Sequence, residues 1–267
     1  LSGARVTNVA NMNLSWETSD NFNLGIDLRM LNSRINTSFE IYSRHATDLL
    51  FDREISRTTG FTNATVNLGG LKNSGFEFSV DADIIRTSQL VWNLTLNLSY
   101  LKNVITDFPS DNVGPTNIDR QGYAEGSLYL PEWAGVDPET GAPMWYHIDD
   151  ATGEKTLTYE YSVATRQIIG TREPKYFGGI STNLKYKNLE MDALFSYAWD
   201  FFALDYCASR YTQTDGGQSY LNSEIVQLDN WTPLNTDAAN PIRINGVTNG
   251  SQFSTRHAYN GAYFKMK

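Results

Sequence analysis

Residues 16–83 read WETSDNFNLGIDLRMLNSRINTSFEIYSRHATDLLFDREISRTTGFTNATVNLGGLKNSGFEFSVDAD, and the spacing of apolar residues within this stretch decides the fold. Phe22, Leu24, Ile26, Leu28 and Met30 alternate with Asn23, Gly25, Asp27 and Arg29. A period of two gives a strand one apolar and one wet face. Four residues, Leu31 to Arg34, lead into a second alternation of Ile35, Thr37, Phe39 and Ile41 against Asn36, Ser38, Glu40 and Tyr42. Two such runs across so short a break predict an antiparallel hairpin. A link of about thirty residues then precedes a third run, in which Phe76, Phe78, Val80, Ala82 and Ile84 share the apolar face.

The same rhythm extends through the chain. After another short connection, Trp92, Leu94, Leu96, Leu98 and Tyr100 alternate with Asn93, Thr95, Asn97 and Ser99. Further on, Tyr176, Gly178, Ile180, Thr182, Leu184 and Tyr186 form a fifth run, and a tight turn at Lys187 and Asn188 leads to a sixth with Met191, Ala193, Phe195, Tyr197 and Trp199. Residues 262–267 begin a seventh strand. The short turns, near Asn32, Arg86 and Asn188, all fall at one end of the sheet, and the long links, 46–72, 103–174 and 201–261, all fall at the other. Single amphipathic strands fit a soluble extracellular β-sandwich that binds glycan through loop aromatics equally well. The one-sided division of turns favours an antiparallel transmembrane β-barrel with long extracellular loops, here an incomplete one.

Bulk properties agree with that fold class. The chain has 267 residues, a formal net charge of -9 and 40% hydrophobic content, with mean hydropathy -0.40. Barrel strands show lipid only every second residue, so such averages suit them. The basic residues are scattered, which argues against a nucleic-acid surface. No apolar run approaches the roughly 18 residues of a membrane-spanning helix. The N-terminal sequence lacks the charged and apolar regions of a signal peptide, so for a barrel the beginning is expected to be missing. The single Cys207 excludes an internal disulfide and reads as a buried or lightly exposed thiol.

The 103–174 link carries two turn sequences, DPETG at 137–141 and DDATG at 149–153, which divide it into a small three-stranded meander over 132–136, 142–148 and 155–163. Residues 108–129 show no period and read as irregular. The acids of the two turns lack calcium-loop spacing. His45, His147 and His257 are far apart and read as loop or surface histidines, so no catalytic residue, metal site or cofactor is expected. Two sets of candidates remain. Trp133, Trp145 and Tyr146 in the meander, with Tyr206, Tyr211 and Tyr220 in the later link, offer flat faces to a ligand or partner, or else form small loop cores. On the wet face, Asp27, Arg29, Glu77, Asp81, Glu190 and Asp192 either line a hydrated lumen or are simply solvated.

The ordered set WET (16–18), FNLGID (22–27), TTGF (58–61), GGLKNSGFEF (69–78), LNLSY (96–100), PEWAGVDPETGAPMWY (131–146), PKYFGGI (174–180), YKNLEMDALFSYAW (186–199), NWTP (230–233) and NGAYFKMK (260–267) resembles the C-terminal part of SusC/RagA-type TonB-dependent outer-membrane transporters. The resemblance implies roughly the last third of a barrel, 1–267 forming one portion of that domain. Barrel strands are expected within 22–45, 74–101, 176–199 and 262–267, with long extracellular loops at 103–174 and 201–261. It further implies import of oligosaccharides or peptides through the bacterial outer membrane, no enzyme activity, a SusD-type surface lipoprotein as lid, and energy from a TonB complex acting on an N-terminal region outside this chain. A structural barrel without transport stays open as an alternative, separated by whether a plug and a coupling segment precede the chain.

Overall fold

The structure, a computed structural model, describes residues 9–217 and 221–267. Seven strands form one antiparallel sheet in chain order: β1 (Thr18–Met30), β2 (Ile35–Thr47), β3 (Gly70–Arg86), β4 (Leu90–Asp107), β5 (Tyr176–Tyr186), β6 (Leu189–Trp199) and β7 (Tyr263–Met266). Their pairing keeps the period-two pattern of each strand in step with its neighbours. One row across the sheet is Ile26, Phe39, Phe78, Leu98, Gly178, Tyr197 and Phe264. The next is Leu28, Thr37, Val80, Leu96, Ile180, Phe195 and Met266. A slip of one residue in any strand would turn its apolar set to the other side, so this register specifies a single apolar face.

Two local features hold the rows. At Gly178 an added Cβ would meet the Tyr197 ring, with the hydroxyl at 2.7 Å. That ring lies across the glycine, and its hydroxyl donates to the Asn97 carbonyl at 2.6 Å, tying β6 to β4 over the intervening β5. A β-bulge between Asp83 and Ile85 places Ile85 opposite Trp92, so Ile85 rather than Ile84 ends the apolar row of β3. The alternation through Ile84 expected from sequence therefore breaks one residue early, because the bulge inserts an extra residue.

The short turns at 31–34, 87–89 and 187–188 share one end of the sheet. The first runs through positive φ at Leu31, Asn32 and Ser33 (53°, 55° and 62°). Asn tolerates that conformation, whereas Leu31 adopts it at a cost of about 1 kcal/mol. At the other end the long connections fold into a head. Trp133–Val136, Pro143–Ile148 and Lys155–Thr158 form the meander read from the sequence, its third strand shorter than expected. Residues 108–129 are not irregular throughout. Asn112–Val113, Asn117–Asp119 and Ser127–Pro131 join Arg166–Gly170 in a four-stranded sheet. Strands of two to five residues are too short for a period to show. Two hairpin-like pairs, Leu50–Glu54 with Asn63–Asn67 and Phe202–Leu204 with Ala258–Asn260, complete the head.

Burial is distributed unusually. Ile118, Leu128, Leu130 and Trp145 are buried in the head. In the large sheet the apolar face stays open: Phe22 is 59% and Met191 58% exposed. Among the described residues no second layer covers that face. A β-sandwich would bury it, so the sandwich reading loses its main requirement. Among the described residues no helix is long and apolar enough to cross a membrane.

Candidate functional site

The side of the sheet opposite the apolar rows carries a ladder of amides, hydroxyls and carboxylates. Register puts Asp27 opposite Ser38, Arg29 opposite Asn36, Glu77 opposite Glu40 and Ser99, and Asp81 opposite Asn36 and Thr95. Glu190 and Asp192 stand opposite Lys185 and Asn183. All six residues expected on the wet face thus share it. Three of them, Asp81, Glu190 and Asp192, also collect partners that the sequence reading left unassigned. The Asn93 amide donates to Asp81 at 3.1 Å and to Asp83 at 3.3 Å, and the Thr95 hydroxyl donates to Asp81 at 3.0 Å. Two strands on, the Asn183 amide donates to Glu190 at 2.9 Å and to Asp192 at 2.7 Å. Each amide faces two acids across a strand pair and neutralises neither. The surface stays rich in carboxylate and amide acceptors. The alternation of Asn93, Thr95 and Asn97 was the signal for it.

The head is welded from the 103–174 and 201–261 connections around Arg256. Its guanidinium pairs with Asp215 at 2.5 and 3.0 Å, donates to the Asn240 side chain at 2.7 Å and to the Gly250 carbonyl at 2.9 Å, and lies 5.0 Å from the centre of the Trp133 ring. Both charged side chains are buried, Asp215 to 1% exposure. Burial pushes the Asp215 carboxyl up while the Arg256 guanidinium pulls it down; the two-pronged pair is the geometry of a carboxylate. Beside it His257 is 0% exposed, and neither ring nitrogen finds a hydrogen-bond partner. Burial and the adjacent Arg256 lower its pKa to about 4. This histidine lies in the 201–261 loop, as expected, but is buried in the core of the head rather than at the surface. His45 instead meets the Thr106 hydroxyl at 3.1 Å, and His147 the Val163 carbonyl at 2.9 Å.

The aromatic candidates separate. Trp145 is core, edge-on to Trp133 at 5.5 Å and to Tyr161 at 5.4 Å, and presents no face to a ligand. Tyr161 also donates to the Phe253 carbonyl at 2.7 Å, joining the two connections. Trp133 is half-buried beneath Arg256. Tyr146 is half-buried with the Lys155 ammonium 3.8 Å over its ring, and Lys155 pairs with Glu132 at 2.8 Å. Tyr211 is exposed. Tyr206 shares a hydrogen bond of 2.7 Å with Thr116. Tyr220 lies outside the described residues. Trp231, missed by sequence reasoning, is buried, donates to the Pro138 carbonyl at 3.0 Å and packs where a Cβ on Gly141 would stand. The turns at 137–141 and 149–153 are built alike: Asp137 accepts from the Glu139 backbone and the Thr140 hydroxyl, and Asp149 from the backbone of Ala151 and Thr152. Those bonds hold both carboxyls below the usual range. Where the head meets β4, a recess of about 450 Å³ is lined by Lys102, Asn103, Tyr123, Glu125 and Arg172.

These features agree with known proteins. The family model described as "TonB dependent receptor-like, beta-barrel" matches residues 2–136, just over half of the chain. TonB-dependent receptor P3 of Formosa agariphila is 28% identical over 100% of this chain and 28% of its own length. TonB-dependent receptor SusC of Bacteroides thetaiotaomicron is 29% identical over 67% of this chain and 19% of its own length. The RagAB peptide importer in its "closed-closed" state superposes with a TM-score of 0.85 at 28% identity, covering 98% of this chain and 29% of that one. The chain spans less than a third of the length of the curated relatives it matches. It belongs to the TonB dependent receptor-like β-barrel family and resembles the SusC and RagA members of that family.

Proposed function

We propose that this chain forms part of the wall and of the extracellular mouth of an outer-membrane importer for oligosaccharides or peptides. A SusD-type surface lipoprotein would close over it, and a TonB complex would act on an N-terminal region beyond this chain. The observation that carries the proposal is the seven-strand register, which assembles one continuous apolar face and one continuous acceptor-rich face. Such a sheet suits lipid on one side and a water-filled passage on the other. SusC and RagA, matched across most of this chain, give the transport reading its direction.

On this reading Asp27, Arg29, Glu77, Asp81, Glu190 and Asp192 line the lumen and meet either substrate or the domain that fills the barrel. Trp133, Tyr146, Tyr211 and Tyr220 belong to the loops that face the lipoprotein. Trp145 serves by holding Trp133 and Tyr161 in place. The test is isolation of the native polypeptide from the membrane fraction of its source. A chain several times heavier than 30.0 kDa, in outer membranes and co-purifying with a surface lipoprotein, is the expected result. A water-soluble native chain near that mass would refute the proposal and return the glycan-binding sandwich to the lead.

A further inference from the structure

On the apolar face, at the end of the sheet nearer the head, Phe76, Tyr100, Tyr176 and Trp199 form a continuous aromatic row with ring centroids 5.6, 4.9 and 5.4 Å apart. Aromatic rings of this kind gather where hydrocarbon gives way to headgroups. The strands carry on past that row without turning, and the next two rows on the same face change character. Phe22, Ser43, Ser74 and Lys102 stand in the first, and Asp20, His45, Lys72 and Val104 in the second. Lys72 and Lys102 are diagonal neighbours on β3 and β4, a Cβ separation of about 7–8 Å that two long side chains close readily. Both are exposed, and among the described residues neither ammonium has a carboxylate partner. By register Asp107, opposite Gly70 in the following row, is diagonal to Lys72 on β4, and Asp20 is opposite His45 two strands away; neither carboxylate pairs with either lysine.

We propose that Lys72 and Lys102, with Ser74 and His45 beside them, form a site for the phosphate of an anionic lipid whose acyl chains lie over the aromatic row. The inference rests on the reading of this sheet as a membrane wall. Two unpaired ammonium groups just above an aromatic belt face the headgroup layer, where a phosphate monoester between them satisfies both charges and the Ser74 hydroxyl donates to a third oxygen. A cap that merely repels hydrocarbon would show no preference for phosphate. A free phosphate would gain nothing from the rings beneath.

The test uses the full-length transporter in phosphatidylcholine nanodiscs doped with monophosphoryl lipid A, with phosphatidic acid, or with neither, and counts retained lipid by native mass spectrometry. Enrichment of a phosphate-bearing lipid is expected around the wild type, and the preferred dopant identifies the headgroup. K72Q/K102Q should lower that enrichment roughly tenfold, while K72R/K102R should keep it. Equal enrichment in the wild type and K72Q/K102Q, or displacement of the lipid by inorganic phosphate, overturns the site. A spin label at Leu98 reports bilayer contact separately. Bilayer contact without lysine dependence defeats this inference alone, and absence of contact defeats the membrane reading with it.

Discussion

Arg256 shows how much of the head depends on one side chain. It reaches Asp215, forty-one residues earlier, together with Asn240, the Gly250 carbonyl and the Trp133 ring. Nothing in the sequence around NGSQFSTRHAYN announces this, since long-range partners leave no periodic trace. Removing one member of a buried pair strands the other charge, at a cost of about 3–5 kcal/mol. Arg256→Ala should therefore loosen residues 205–260, read as faster amide hydrogen exchange there in the full-length protein, with the strands of the sheet unchanged. His257, next to it, sets a pH dependence. Its folded pKa of about 4 lies below the ordinary 6.5, so the folded head binds fewer protons than the opened one in that window. Stability is complete above pH 6.5 and falls as pH drops toward 4, by up to about 3 kcal/mol. Asp215, whose carboxyl burial raises, opposes part of this loss. His257→Leu gives up no hydrogen bond and should flatten the acid limb of the same exchange measurement; an unchanged limb would assign it to other groups.

At the level of elements, legibility followed strand length. The six long strands announced themselves through alternation over about ten residues, and the structure keeps their facing, apart from the bulge that substitutes Ile85 for Ile84. The sheet of Asn112–Val113, Asn117–Asp119, Ser127–Pro131 and Arg166–Gly170 stayed hidden because its fourth member arrives thirty-five residues after its partner. Turn chemistry, by contrast, located both turns of the meander through Asp137, Gly141, Asp149 and Gly153. The facing itself is open to a paired substitution. Leu96 lies mid-sheet on the apolar side and Thr95 on the polar side, bonded to Asp81. Leu96→Lys should cost about 2–4 kcal/mol against lipid, whereas Thr95→Lys places a cation beside an acid with little penalty. Folding yield of the full-length protein into vesicles measures the difference. Equal yields would mean that no hydrocarbon faces Leu96.

For the molecule as a whole, the balance of burial decides what this chain can do by itself. Its core lies in the head, under Trp145, Leu128 and Leu130, while the largest sheet exposes apolar rows on one side and, among the described residues, ends in two open edges, β1 and β7. An edge strand of thirteen residues such as β1 presents a row of unpaired N–H and C=O groups. In hydrocarbon each unpaired group costs several kcal/mol, which closed barrels avoid by pairing every strand. In water the same edge, flanked by exposed Phe22, Leu24, Ile26 and Leu28, is a template for aggregation. Neither solvent accepts this sheet without further strands at both edges. The 267-residue chain expressed alone should collect in the insoluble fraction. Refolded in detergent, it should show exchange protection in the head and little in β1 and β7. Co-folding with the remaining strands of the full-length protein should restore protection along both edges. A monomeric chain, protease-resistant in buffer without detergent, would mean that another surface covers the apolar rows, and the membrane-wall account would fall with it.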